Sequence, residues 1–143
     1  MGWRAPLLPT FCLIAIGCTS ASPAAPDLVG GSVKGTWTQI GGTREWTLDQ
    51  IGFNVGGTSS FSQVNHPYFG AISASGTVQG GVGLGAFHFE DYYDRLPGPF
   101  CEIVITGTLT VGGSSMTGPY TETDICNGVS VNQMSGRLTM QRK

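Results

Sequence analysis

Between Cys101 and Cys126 the chain alternates apolar and polar residues so regularly that one turn assignment fixes two strands at once. If Gly113 and Ser114 form a two-residue hairpin loop, Val111 faces Met116, Leu109 faces Gly118, Gly107 faces Tyr120 and Cys101 faces Cys126. One face then carries Ile103, Ile105, Leu109, Val111, Met116 and Tyr120, and the other carries Thr106, Thr108, Thr110, Thr117, Thr121 and Thr123. Side chains in a strand alternate between faces with a period of two, so a slip of one residue would invert the whole pattern. A glycine in the first loop position favours a type II′ turn.

The rest of the chain repeats this logic. Apolar and β-branched runs alternate with glycine-rich breaks, and no segment keeps helical periodicity for three turns. Eight strands are predicted, over Val33–Ile40, Thr43–Ile51, Asn54–Gln63, Phe69–Gln79, Val82–Phe89, Phe100–Val111, Ser115–Ile125 and Val129–Arg142. Leu48, Gly52, Val55 and Gly57 have the spacing of Leu109, Gly113, Met116 and Gly118, so two hairpins share one plan. Glycines recur inside these strands, at Gly35, Gly57, Gly76, Gly107, Gly118 and Gly136, where they would permit sharp bends. Short connections and such bends suit a single all-β domain, an eight-stranded antiparallel up-and-down barrel; two stacked sheets would leave similar signals. The long exception is Glu90 to Pro99, read as an exposed loop.

The N-terminus predicts where this domain resides. Arg4, an apolar run of about twelve residues and a small-residue exit form a secretory signal, shorter than the roughly 20 residues of a membrane span. Ala15-Ile16-Gly17-Cys18 resembles the lipobox of bacterial lipoproteins. That resemblance implies a signal peptide over 1–17, acylation of Cys18 and a flexible tether over 18–31, with the barrel over 32–143. Thr19 after the cysteine would, by the same resemblance, favour the outer membrane of the cell envelope. The alternative is ordinary cleavage after Gly17 or within Ser20-Ala21-Ser22, which would leave a soluble secreted protein.

Loss of Arg4 with the signal leaves six basic against nine acidic residues, and no basic run interleaved with aromatics. Nucleic acid is therefore not an expected partner. Charged residues are 11% of the chain, against roughly 25% in ordinary domains, and Gly, Ser and Thr take their place. Of the four cysteines, Cys12 leaves with the signal and Cys18 starts the mature chain, so Cys101 and Cys126 remain to pair in an oxidising compartment. Their loop of about 26 residues would contribute roughly 3–4 kcal/mol on the chain-entropy model.

Gly35-Thr36-Trp37, then Gln39 to Thr43, then Trp46-Thr47-Leu48 through Thr58 resemble the first two hairpins of calycins, the superfamily of lipocalins and avidins. The resemblance covers about thirty residues and implies a barrel in which Arg142, near the end of the last strand, covers Trp37. It does not carry biotin binding. Avidin-like sites use tryptophans from later strands, and this chain has none after Trp46; Thr43, Ser59 and Ser60 match the polar set only in part.

A domain of this size is expected either to fill its interior with side chains and serve a structural role or to bind a small apolar molecule, with Trp46, Phe61, Phe87, Tyr120, Glu122 and Asp124 as the candidate ligand-binding residues on the predicted inner face. Glu122 and Asp124 fall inward in the hairpin register, where carboxylates need a cation, a donor or open water. The simpler expectation for them is a bulge after Tyr120 or exposure at the barrel rim. Candidate interaction residues are Glu90, Asp91, Tyr92, Tyr93, Asp94 and Arg95, an acidic and aromatic loop suited to a protein partner. It lacks EF-hand spacing, and no metal or cofactor is expected. His66 and His88 belong to no recognised catalytic arrangement, His66 reads as a surface loop residue, and no enzyme activity is expected.

Overall fold

The computed structural model describes residues 31–94, 96 and 100–143. The signal, Cys18, all but the last residue of the tether, and Arg95 lie outside the described residues. The eight strands are β1 (Gly35–Gln39), β2 (Glu45–Ile51), β3 (Asn54–His66), β4 (Gly70–Gly83), β5 (Ala86–Tyr93), β6 (Cys101–Val111), β7 (Ser115–Cys126) and β8 (Val129–Arg142). They close in sequence order, each antiparallel to the next and β8 to β1. The architecture is compatible with a calycin-like barrel.

The β6–β7 register is the predicted one, with Val111 opposite Met116, Gly107 opposite Tyr120 and Cys101 opposite Cys126. The two sulfurs are bonded. The turn type differs: Gly113 does not have positive φ, so the loop is not type II′. Its counterpart Gly52 does, at 61°. The two hairpins of the repeat thus share register and glycine placement but turn differently.

One end of the barrel carries the β2–β3, β4–β5 and β6–β7 turns. Just inside it each strand contributes one buried apolar side chain: Trp37, Leu48, Val55, Val82, Phe87, Leu109, Met116 and Met140. Trp37 donates Nε1–H to the Val33 carbonyl at 2.7 Å, and Arg142 lies 4.6 Å over its ring. Farther in, Trp46, Phe87 and Phe89 pack together, with ring centroids 4.9 to 6.2 Å apart. Large side chains here lie on glycines. A Cβ on Gly107 would come 2.8 Å from the Phe89 ring, and one on Gly136 would come 2.9 Å from the Tyr120 ring. Gly107 and Gly136 therefore make room for an aromatic from the preceding strand, whereas Gly57, Gly80 and Gly118 let a neighbouring backbone carbonyl approach.

The other end is less regular. β1 stops at Gln39 and β2 begins at Glu45, while β3 runs on to His66 and β8 starts as early as Val129. The far halves of β3 and β8 extend past the pairing that β1 and β2 supply, and the Ile40–Arg44 turn crosses this side. Thr43 Oγ1 accepts the Ser62 N–H at 2.9 Å and donates to the Ser62 carbonyl, which ties the turn to β3. The short strands leave a window in the wall.

Candidate functional site

The window opens on charged groups inside the barrel. It is a cavity of about 430 Å³ lined by Gln39, Gly41 to Arg44, Phe61 to Val64, Tyr120, Glu122 and Met134. At its floor lie Arg44 and Glu122, 6% and 4% exposed, and behind them Asp91 and Asp124 are fully buried.

Each side chain is aimed by strand phase. Arg44 sits two residues before Trp46 and four before Leu48, just ahead of β2 and in phase with its inward set. Asp91 and Tyr93 continue the inward set begun by Phe87 and Phe89. The predicted 90–99 loop is corrected here: Glu90 to Tyr93 belong to β5, and Asp91 and Tyr93 are interior. Tyr92 points outward and donates to Glu102 at 2.6 Å. Of that predicted interaction surface, Tyr92 and Asp94 remain outside together with Glu90, which binds Gln79 at 2.9 Å.

Glu122 and Asp124 point inward in the hairpin register, opposite Ile105 and Ile103. The strand does not bulge after Tyr120, and neither carboxylate is exposed at the rim, which corrects the simpler expectation. The irregularity lies later, where Asp124 pairs with Asn132 but Ile125 pairs with Ser130. His66 is the second correction: it is 3% exposed and interior. Inward positions on β3 are odd (Val55, Ser59, Phe61), and an even residue should face solvent. A register shift between Gln63 and His66 changes the phase and turns the imidazole into the barrel.

Two linked clusters result. In the first, Asp91 accepts hydrogen bonds from Ser59, from Trp46 Nε1–H at 2.9 Å and from the Tyr93 hydroxyl at 2.8 Å. Arg44 Nε lies 3.4 Å from the same carboxylate. Burial pushes the Asp91 carboxyl above its usual range, and Arg44, Ser59, Trp46 and Tyr93 pull it back only in part. Burial also opposes the Arg44 charge, but Tyr93, Asp91 and Glu122 outweigh it and hold the guanidinium above its ordinary value. Tyr93 is raised by burial and by the adjacent Asp91.

In the second cluster His66 Nε2 lies 3.1 Å from Glu122 Oε1 and 3.7 Å from Asp124 Oδ1, while Asn132 donates to Asp124 Oδ2 at 2.7 Å. Arg44 Nη2 joins the two clusters, 3.8 Å from Glu122 Oε2. His66, Glu122 and Asp124 offer ligand atoms within 4.8 Å of one another, the spacing a metal ion would need. The imidazole is set up differently. Its Nδ1 accepts the backbone N–H groups of Tyr68 and Phe69, each at 3.2 Å, so the ring proton sits on Nε2. Nε2 is then a donor to Glu122 rather than a metal ligand.

Of the predicted ligand-binding residues, Phe61, Tyr120 and Glu122 line the window. Trp46 and Phe87 are buried packing residues, with Trp46 also holding Asp91, and Asp124 lies behind the cavity. Arg44, Ser59, His66 and Asn132 are the members that the sequence reading did not place in a site. Arg44 was accessible to it, two residues before Trp46. His66 was not, because a bulge sets its direction. The chain matches no protein-family model, no curated protein and no solved structure.

Proposed function

We propose that this chain is an exported, non-enzymatic envelope protein, anchored through a lipid on Cys18, whose barrel binds a small polar molecule through its side window. The observation that carries the binding role is the 430 Å³ cavity floored by a buried guanidinium and carboxylate. Side chains fill the opposite end, so the small apolar ligand suggested by the inner-face residues has little room there. Ligand sites combine a concave shape with a few placed polar groups, and the window has both.

The non-enzymatic reading rests on how the polar groups are engaged. Ser59 donates to Asp91 and not to a histidine, and His66 commits Nδ1 to backbone and Nε2 to carboxylate. Export rests on the N-terminal pattern and agrees with the Cys101–Cys126 bond, since such bonds persist in oxidising compartments.

Native mass spectrometry of the protein purified from its own host tests the binding role. A bound small molecule, lost on substitution Glu122→Gln, is the expected result; a barrel that is empty as isolated and takes up nothing from a host extract would overturn it. For the anchor, Cys18→Ala should move the protein from the membrane to the soluble fraction, and unchanged fractionation would refute lipidation. A protein-interaction role keeps one specific observation: Phe100, beside the 94–99 segment, is 84% exposed. Substituting Tyr92 and Phe100 together should abolish capture of an envelope partner if that reading is correct.

A further inference from the structure

Resting on the reading of the window as a binding site, we propose that it takes a small organic cation, an alkylammonium or guanidinium group, seated on Glu122. Three carboxyl groups, Asp91, Glu122 and Asp124, lie inside the barrel near one guanidinium, that of Arg44. His66 does not supply a second positive charge in this arrangement. Its Nδ1 faces two backbone N–H donors, which leaves no place for a proton there.

The one guanidinium is also unevenly shared. Arg44 lies closer to Asp91, at 3.4 Å, than to Glu122, at 3.8 Å, a separation too long for a hydrogen bond. Glu122 Oε1 accepts a hydrogen bond from His66 Nε2–H. Oε2 has Arg44 Nη2 beyond bonding distance, and Glu122 lines the window, so this oxygen is the acceptor left for an incoming donor. Behind it, Asp124 Oδ1 is buried without a hydrogen-bond partner. That second carboxylate deepens the negative potential at the same place, and in a poorly solvated site a charge of opposite sign is drawn strongly.

The walls suit an organic cation better than a bare ion. Tyr120, Gln39 and Gln63 are among its lining residues, an aromatic ring of the kind that attracts cations and two neutral amides. A divalent metal would need the Nε2 lone pair, which carries the proton. An anion would have to draw Arg44 away from Asp91.

The test uses the full-length protein in detergent, titrated calorimetrically with butylammonium, butyrate and butyramide, which match in size and differ in charge. Saturable butylammonium binding is expected, weakened about tenfold or more by Glu122→Gln, the loss of one charge-assisted bond. Asp49→Asn, at an exposed carboxylate paired with Lys34, should leave it unchanged. Tyr120→Leu should weaken it too, and serves if Glu122→Gln fails to fold by circular dichroism. Butyrate or butyramide binding as well as butylammonium would overturn the cation class while leaving the window a binding site. Binding of none of the three would count against both readings. Calcium or zinc chloride alone displacing butylammonium, with loss in His66→Ala, would replace the organic cation with a metal.

Discussion

The two ends of the barrel interior obey one rule of side-chain direction and have opposite chemistry. At the turn end, eight strands each insert one apolar side chain, and the packing is closed by large residues lying on glycines. At the window end, the same inward positions carry Arg44, Asp91, Glu122 and Asp124, set against an apolar wall of Ile72, Ile103 and Ile105. Alternation decides which way a residue points and says nothing about what it brings. The cost of the difference is desolvation: an apolar residue is stabilised by burial, whereas a charged one is tolerated when its partners are in place.

That contrast can be broken most sharply at Asp91. Asp91→Ala should cost about 3–5 kcal/mol in urea unfolding, because it strands a buried guanidinium. Arg44→Met added to it should restore part of the loss; a double variant as unstable as the sum of both singles would show that the pair is not coupled. At the turn end, Leu109→Ala should cost about 2–5 kcal/mol through the cavity it leaves, with no partner whose removal restores it. Between the ends, Gly107→Ala should cost about 1–3 kcal/mol, since a methyl there meets the Phe89 ring and the Pro119 carbonyl. Gly113→Ala, in open space at the hairpin tip, should change stability little.

The smallest effect lies outside the barrel. The hydrogen bond to Glu102, aided by slight burial and by charge from Glu102 and Asp94, pushes the Tyr92 phenol up to about 12. A raised phenol favours the neutral form in the folded state. Its contribution is therefore complete below about pH 10, the ordinary range, and is lost as pH rises through about 12. Ultraviolet titration should show Tyr92 ionising late alongside the interior Tyr93, and Glu102→Gln should lower the Tyr92 step while leaving that of Tyr93 in place.

Much of the fold was legible because periodicity and turn chemistry are local. Cys101 to Cys126 carried its own register, and the bonded cysteines checked it. The window cluster was legible in part. Glu122 and Asp124 followed from that register, but their cost in isolation made a bulge or rim exposure the simpler expectation. Asp91 was misread for the same reason: an acidic residue after Phe87 and Phe89 looks like the end of a buried strand unless its donors, Trp46, Ser59, Tyr93 and Arg44, are known to converge on it. Those donors come from β2, β3, β5 and the segment entering β2.

The amino-acid sequence by itself determined the all-β class, the strand order and the pairing of Cys101 with Cys126, since each depends on neighbours a few residues apart or on one hairpin. Tertiary structure decided the window and the charges within it. The window exists because β1 and β2 are shorter than the strands flanking them. His66 turns inward because β3 shifts register by one residue before it. Whether a buried charge is tolerable depends on partners distant in sequence, and closure of the barrel is what brings those partners within reach.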